Sequence, residues 1–222
     1  MIQTVIFNLD GILVSTDDCH FEAWARLAQE QGIPLTEEIY RAMVGKKRMD
    51  SLLVMLKKAE RSYSAPETWA LAARKNDIFN SLVRHLTPDR ILPGAVETVR
   101  ALREMGVKTA VGSSSENAGG ILRQMKMNKL FDAVVDGGQI EKGKPDPEVF
   151  LTVARKLRTP TSQCLVVENT WAGVEAAHQA GMKALALGAA VEQKKEGFHP
   201  MSLADIDLPG MVRDDTFSQF TI

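Results

Sequence analysis

Asn8 and Asp10 stand two residues apart directly after the apolar run Thr4-Val5-Ile6-Phe7, with Gly11 behind them. Residues two apart on an extended chain point the same way, so both side chains aim into one pocket. Three more polar clusters follow strand-like or turn-like stretches: Ser113, Ser115 and Asn117; Lys144; and Glu168 with Asn169. A hydroxyl cluster where a helix begins offers O–H and N–H donors to a phosphate. A lysine beside it neutralises phosphate charge, and acidic groups opposite would hold Mg²⁺ together with substrate oxygens. Such parts suit phosphoryl transfer, in which the protein positions the group and stabilises its charge. Each cluster alone has a plainer reading. The serines and the Glu168-Asn169 pair make good helix caps. A lone lysine before Pro145 is ordinarily a solvated turn residue. His20, between Cys19 and Phe21 and near Trp24, is by default a packing histidine. What favours a site is four clusters falling at equivalent points of one sheet.

Those clusters converge only if the elements that carry them form a parallel sheet. Thr4–Phe7 is apolar and β-branched, the pattern of a strand buried on both faces. Residues 16 to about 86 then contain no strand pattern. Helices are expected at 16–32, with Thr16 and Asp17 as caps, at 34–43, at 48–60, and from Pro66 through Val83. Residues 87–94, rich in proline and glycine, form the return linker. Strands at 107–111, 131–135, 164–167 and 183–187 then alternate with helices at 95–105, 117–125, 144–157 and 171–180, Pro147 lying in the first turn of the third. This order implies an α/β fold: a doubly wound, Rossmann-like parallel sheet with an inserted α-helical cap. The core is expected at 1–15 and 88–222 and the cap at 16–87. From Glu192 onward the chain reads as loops and at most one short helix or edge strand.

The 222 residues are long enough for one such core with a small insert, and 45% apolar with 25% charged content is ordinary for a soluble globular chain. A formal net charge of -1 supplies no field to gather nucleic acid or an anionic membrane, so neither is expected as a partner. No leader pattern or membrane-length apolar run is present. Cys19 and Cys164 lie far apart, which suits a reducing cytoplasm without a disulfide framework.

Taken together the motifs resemble the haloacid dehalogenase-like phosphotransferase superfamily, and within it the β-phosphoglucomutase type, over nearly the whole chain. The family motif of nucleophilic aspartate, any residue, acid/base aspartate and glycine falls on Asn8-Leu9-Asp10-Gly11. Its Ser/Thr motif falls on Ser113, its lysine on Lys144, and its Mg²⁺-binding acidic pair on Glu168-Asn169. In the cap, His20 through Trp24 resembles the start of the family's cap helix. Arg48, before Asp50-Ser51-Leu52, resembles its phosphate-gripping segment, and Arg74-Lys75-Asn76-Asp77 its substrate-facing lysine segment. The resemblance implies a substrate-binding set of His20, Trp24, Gly45, Arg48, Lys75, Ser115 and Asn117. It implies a metal set of Asn8, the Asp10 backbone carbonyl, Glu168 and Asn169. It further implies conversion of β-glucose 1-phosphate to glucose 6-phosphate through a bisphosphate and an aspartyl phosphate, in a monomer. A sugar-phosphate phosphatase and a non-catalytic sugar-phosphate binder are the alternatives.

The chain departs from that pattern at two positions. Asn8 stands where the nucleophilic carboxylate belongs, and a neutral amide oxygen is a poor nucleophile. Asn169 offers the metal a carbonyl oxygen without charge. Both replacements are near-isosteric, as in a form that traps a substrate complex. The expectation is an impaired or inactive site that binds Mg²⁺ weakly and takes sugar phosphates with reduced need of it.

Overall fold

The computed structural model describes residues 1–188 and 200–217. Five parallel strands form one sheet: β1 (Thr4–Phe7), β2 (Lys108–Gly112), β3 (Ala133–Val135), β4 (Cys164–Glu168) and β5 (Lys183–Ala186), in the order β3-β2-β1-β4-β5. β1 is central, with Phe7 in register with Val111 of β2 and Val167 of β4. Its side chains alternate between two apolar layers, as the run of four buried residues requires. Val5 and Phe7 join a cluster with Val99 and Leu102 of α5 (Ala95–Glu104) and Ile121 and Leu122 of α6 (Ala118–Gln124). Ile6 faces the opposite cluster, with Val149, Phe150 and Val153 of α7 (Glu148–Leu157) and Val174 and Ala177 of α8 (Trp171–Gln179). Helices thus cover both faces. The strand order reverses beside β1, so the crevice for ligands opens at the carboxyl ends of β1, β2 and β4.

Between β1 and α5 the chain runs through four α-helices and no strand of the sheet: α1 (Asp17–Glu30), α2 (Glu37–Met43), α3 (Arg48–Leu56) and α4 (Ala65–Val83). They share an apolar centre of their own, built on Trp24, Leu27, Met43, Leu52 and Met55. The feet of α1 and α4 are different. Cys19, Ala23, Ile78, Phe79 and Val83 belong to the same cluster as Val5 and Phe7 of the sheet. The two segments that join the helices to the sheet run against each other. Ser15 N donates to Arg90 O at 2.8 Å, Leu92 N donates to Leu13 O at 3.0 Å, and Val14 bridges Ile91 in antiparallel sense.

Several element ends differ from the sequence expectation. α2 begins at Glu37 rather than 34 because the Thr36 hydroxyl accepts from Ile39 N and caps it there. α3 stops at Leu56 instead of 60. α7 begins at Glu148, with Pro147 at the cap and Asp146 Oδ1 accepting from Glu148 N at 3.0 Å, so Lys144 lies in the loop before the helix. Thr16 precedes α1 but its side chain does not cap it. In the tail the described residues form a 3-10 turn at Leu203–Asp205 and one short α-helix, α9 (Leu208–Asp214); residues 189–199 and 218–222 lie outside the described residues. Both cysteines are free and buried, and among the described residues no helix is long and apolar enough to cross a membrane.

Candidate active site

At the end of β1 the Asn8 amide N–H still pairs with Val167 O at 2.9 Å, and the chain then folds back so that Leu13 and Val14 donate to Leu9 O. Gly11 makes that turn with φ +75°, where a Cβ atom would lie 2.0 Å from Asn169 Nδ2. Glycine at this point is therefore what lets Asn169, at the end of β4, reach across to β1. A cavity of about 270 Å³ opens above this junction, between the sheet and the helices.

Asn8 is the hub of its floor. Its Nδ2 donates to Asp10 O and to Asn169 Oδ1, both at 3.0 Å, and its Oδ1 accepts from Lys144 Nζ at 3.2 Å. Lys144 Nζ also donates to Gly112 O at 3.1 Å and is bound to Glu168 Oε1. Both members of that pair are buried, 2% and 0% exposed at the side chain, so each is the counter-charge that offsets the other's burial. The other Glu168 oxygen accepts from Asn169 N, Thr170 N and the Thr170 hydroxyl at 2.8, 2.9 and 3.0 Å. Both Glu168 oxygens are thus engaged beneath the floor, and the residue is not on the cavity wall.

The helices close the site from the other side. The Thr16 hydroxyl donates to Asp10 Oδ1. Burial pushes the Asp10 carboxyl up, against the downward pull of that hydrogen bond. His20 stacks on Phe79, with ring centroids 4.1 Å apart, and its Nε2 lies 3.9 Å from Asp10 Oδ1. Its Nδ1 is 3.0 Å from Lys75 Nζ. Burial, then the charge of Lys75, hold His20 well below the usual imidazole range, so the ring is neutral. Nδ1 then accepts from Lys75 and the ring proton sits on Nε2, facing Asp10. Burial and then nearby Arg48 push the Lys75 ammonium down to about 7. Lys75 sits 4.5 Å from the centroid of Phe79 and 5.0 Å from that of Trp24.

Toward the solvent end, three contacts join helices to sheet. Arg48 Nη2 is bound to Glu116 Oε2, Asn117 Nδ2 donates to Asn76 Oδ1 at 3.0 Å, and Lys47 Nζ donates to Ile140 O at 2.6 Å. Gly45, with φ +80°, brings the backbone so close to Thr170 that a Cβ would lie 3.1 Å from its hydroxyl oxygen. In the serine run, Ser113 Oγ accepts from Ser115 N and Ser115 Oγ from Asn117 N, so both hydroxyls brace the turn. Ser114 Oγ is buried, lines the cavity, and has no hydrogen-bond partner among the described residues.

The structure therefore brings Asn8, Asp10, His20, Trp24, Gly45, Arg48, Lys75, Ser113, Ser115, Asn117, Lys144 and Asn169 around one cavity, and leaves Glu168 below its floor. Sequence reasoning takes Thr16 and Asp17 for helix caps and passes over Ser114, Glu116 and Thr170 as site residues. Asp17 lies at the lip; burial, Asp10 and Asp18 push its carboxyl up to about 6. Of these, only Ser114 carried a local signal, from its place between Ser113 and Ser115.

The Mg²⁺ that the resemblance implies can be tested against this donor set. Mg²⁺ asks for unspent oxygens, at least one or two of them carboxylate. Here Asn8 Nδ2 donates to both the Asp10 carbonyl and Asn169 Oδ1, Asn8 Oδ1 is taken by Lys144, and Glu168 has no free face. Among the described residues no group of three or more His, Cys, Asp or Glu is placed to hold a metal. As arranged, these residues do not fit the ion.

A helix-capped parallel sheet with a motif residue at each of these strand ends defines a phosphotransferase or phosphohydrolase site of the haloacid dehalogenase kind. The chain belongs to the haloacid dehalogenase-like hydrolase family, whose pattern matches residues 2–181. It is 36% identical over 189 residues to the β-phosphoglucomutase of Bacillus subtilis (strain 168), covering 84% of each chain. It is 30% identical over 185 residues to the phosphorylated carbohydrates phosphatase of Thermotoga maritima, covering 82% of this chain and 83% of that one. The crystal structure of β-phosphoglucomutase from Clostridium difficile superposes with a TM-score of 0.89 at 28% identity, covering 97% of this chain and 99% of that one.

Proposed function

We propose that this chain is a phosphosugar-binding protein of β-phosphoglucomutase type whose phosphoryl transfer is disabled or strongly impaired at position 8. The reaction of its lineage would turn β-glucose 1-phosphate into glucose 6-phosphate through a bisphosphate and an aspartyl phosphate. The observation that carries the reading is the Asn8 amide: it sits at the point where Lys144, Asp10 and Asn169 meet, and it presents no attacking carboxylate.

The remaining residues keep their functions in this proposal. Lys144 and Ser113 face the phosphoryl group, and Asp10 serves as general acid and then base toward the sugar hydroxyl. Thr16 and the neutral His20 orient Asp10. Residues 16–87 act as a cap that closes over the ligand and pivots at 13–16 and 87–93. The ligand is a small phosphosugar, and the protein acts as a monomer in the cytoplasm. Mg²⁺ affinity is low, because Asn8 Nδ2 stands between the oxygens the ion would need.

A phosphatase is the second reading, favoured by the Glu116 carboxylate on Arg48, which occupies the group expected to hold a second phosphate. One experiment separates these readings. Binding of glucose 1-phosphate is measured by calorimetry on this chain. Turnover is measured on this chain and on Asn8→Asp/Asn169→Asp, with Mg²⁺ and a trace of glucose 1,6-bisphosphate. Binding without turnover here, and glucose 6-phosphate from the double variant, support the mutase lineage. Free phosphate from the double variant supports the phosphatase. Absence of binding to this chain together with absence of turnover by the double variant overturns both.

A further inference from the structure

The outer end of the cavity is where this chain departs from a plain two-phosphate clamp. Arg48, the first residue of α3, is the cation expected to hold a second phosphate, and the structure gives it an internal anion instead. Glu116 comes from the loop after β2, on the opposite wall, and both residues line the cavity. Their side chains are 21% and 44% exposed, so this pair lies at the solvent end, above the buried Lys144. Beside the pair, the outer wall carries neutral donors and one further cation, Lys46. Asn76 and Asn117 supply amides, and Ser114 supplies a buried hydroxyl with no partner among the described residues. The charged groups near Arg48 are Lys75, which burial drives toward its neutral form, and Lys46 at the cavity edge.

From this geometry, and resting on the phosphosugar reading above, we infer that Glu116 sets specificity: the cavity takes a sugar carrying one phosphoryl group and an uncharged, hydroxyl-bearing outer end, and discriminates against a second phosphate. The physical reason is simple. A monophosphate leaves the Arg48–Glu116 pair intact and meets neutral donors beside it. A second phosphate must displace Glu116 from Arg48 and then lie next to the released carboxylate. A like charge about 5 Å from a phosphate dianion weakens its binding by about tenfold, even at the dielectric constant of water. Desolvated ends of clefts enlarge that effect. The pair is also weak enough to part, because it is a single contact between partly exposed side chains. The carboxylate therefore acts as a selective plug and not as a permanent block.

The test is calorimetric titration of this chain and of Glu116→Gln with glucose 1-phosphate and with glucose 1,6-bisphosphate, at low ionic strength without Mg²⁺. This chain is expected to bind the bisphosphate no more tightly than the monophosphate. Glu116→Gln is expected to shift the ratio of the two affinities by about tenfold or more toward the bisphosphate. Arg48→Ala in the Glu116→Gln background should return the ratio to near one. A bisphosphate preference already present in this chain and unchanged by Glu116→Gln overturns the inference while leaving the phosphosugar reading standing. If neither compound binds either folded protein at millimolar concentration, the phosphosugar reading fails and the inference fails with it. Thermal unfolding of the variants shows whether they are folded.

Discussion

Asn8 Nδ2 donates to Asn169 Oδ1 at 3.0 Å, joining the ends of β1 and β4 by an amide-to-amide bond. The bond needs the Asn8 amide as its donor, while Asn169 supplies only an oxygen, which an aspartate would also offer. Two aspartates there would set carboxylate oxygens against each other and call for a cation between them. Asn8→Asp/Asn169→Asp should therefore be less stable than the native chain in EDTA and be rescued by Mg²⁺. At a hundredfold excess over its dissociation constant, Mg²⁺ should add about 3 kcal/mol, or roughly 5–10 °C in Tm. The native chain should show no comparable shift. Thermal unfolding with and without Mg²⁺ checks both, and an equal rise in both proteins refutes the expectation.

Lys75 gives the protein a pH dependence of definite sign. Its ammonium is pushed down to about 7 in the folded protein, against 10.5 when unfolded. Between those values the unfolded chain holds a proton that the folded chain lacks, so this residue makes stability rise with pH across the window and lowers it as pH falls through 7. Lys75→Met removes the buried charge. Its Tm advantage over the native chain should be largest at pH 6–7 and shrink toward pH 10. Glucose 1-phosphate binding should weaken from pH 7 to 9 in the native chain, as Lys75 loses its charge, and should lose that slope in Lys75→Met.

Lys144 and Glu168 should be inseparable in stability. Removing either partner leaves a buried charge uncompensated, so Lys144→Met and Glu168→Gln should each cost about 3–5 kcal/mol. The Glu168 variant also weakens what Asn169 N and Thr170 N donate to. Denaturant unfolding of the two single variants and the double variant measures the coupling. A double variant as destabilised as the sum of the singles would show that the pair is not the unit described here.

Gly11→Ala should damage the site from outside it. A methyl group there occupies the place of Asn169 Nδ2, and φ +75° is itself unfavourable for alanine. A stability loss above about 1 kcal/mol is expected, together with loss of glucose 1-phosphate affinity. The measurement is Tm alongside the titration, and unchanged binding would show that Asn169 does not shape the pocket.

How much of this was legible beforehand depends on the range of the interaction. Thr4–Phe7 announces itself because apolar Val5, Ile6 and Phe7, after β-branched Thr4, suit a strand held between two helix layers. The floor residues follow from it, since strand ends in a parallel sheet must share an edge. Thr16 was misread because a threonine before a helix looks the same whether its hydroxyl caps the helix or donates to Asp10. Glu116 lies 68 residues from Arg48, and nothing local marks their pairing. Glu168 was placed at the right strand end, but its direction is set by Lys144 and by the turn at Asn169 and Thr170, which the sequence pattern does not encode. The start of α7 shifted because Asp146, not Pro147, supplies the hydrogen bond that opens the helix.

The feet of α1 and α4 share their apolar cluster with β1, while Arg48 and Glu116 meet at the far edge. If residues 16–87 swing about the proposed pivots at 13–16 and 87–93, His20 and Phe79, near the feet, travel least and Arg48 travels most. The inner half of the site, with Asp10, His20 and Lys75 following one another in series, would then persist whether or not the far edge is shut. On that proposal ligand capture begins at an assembled floor, and selection among ligands follows at the rim.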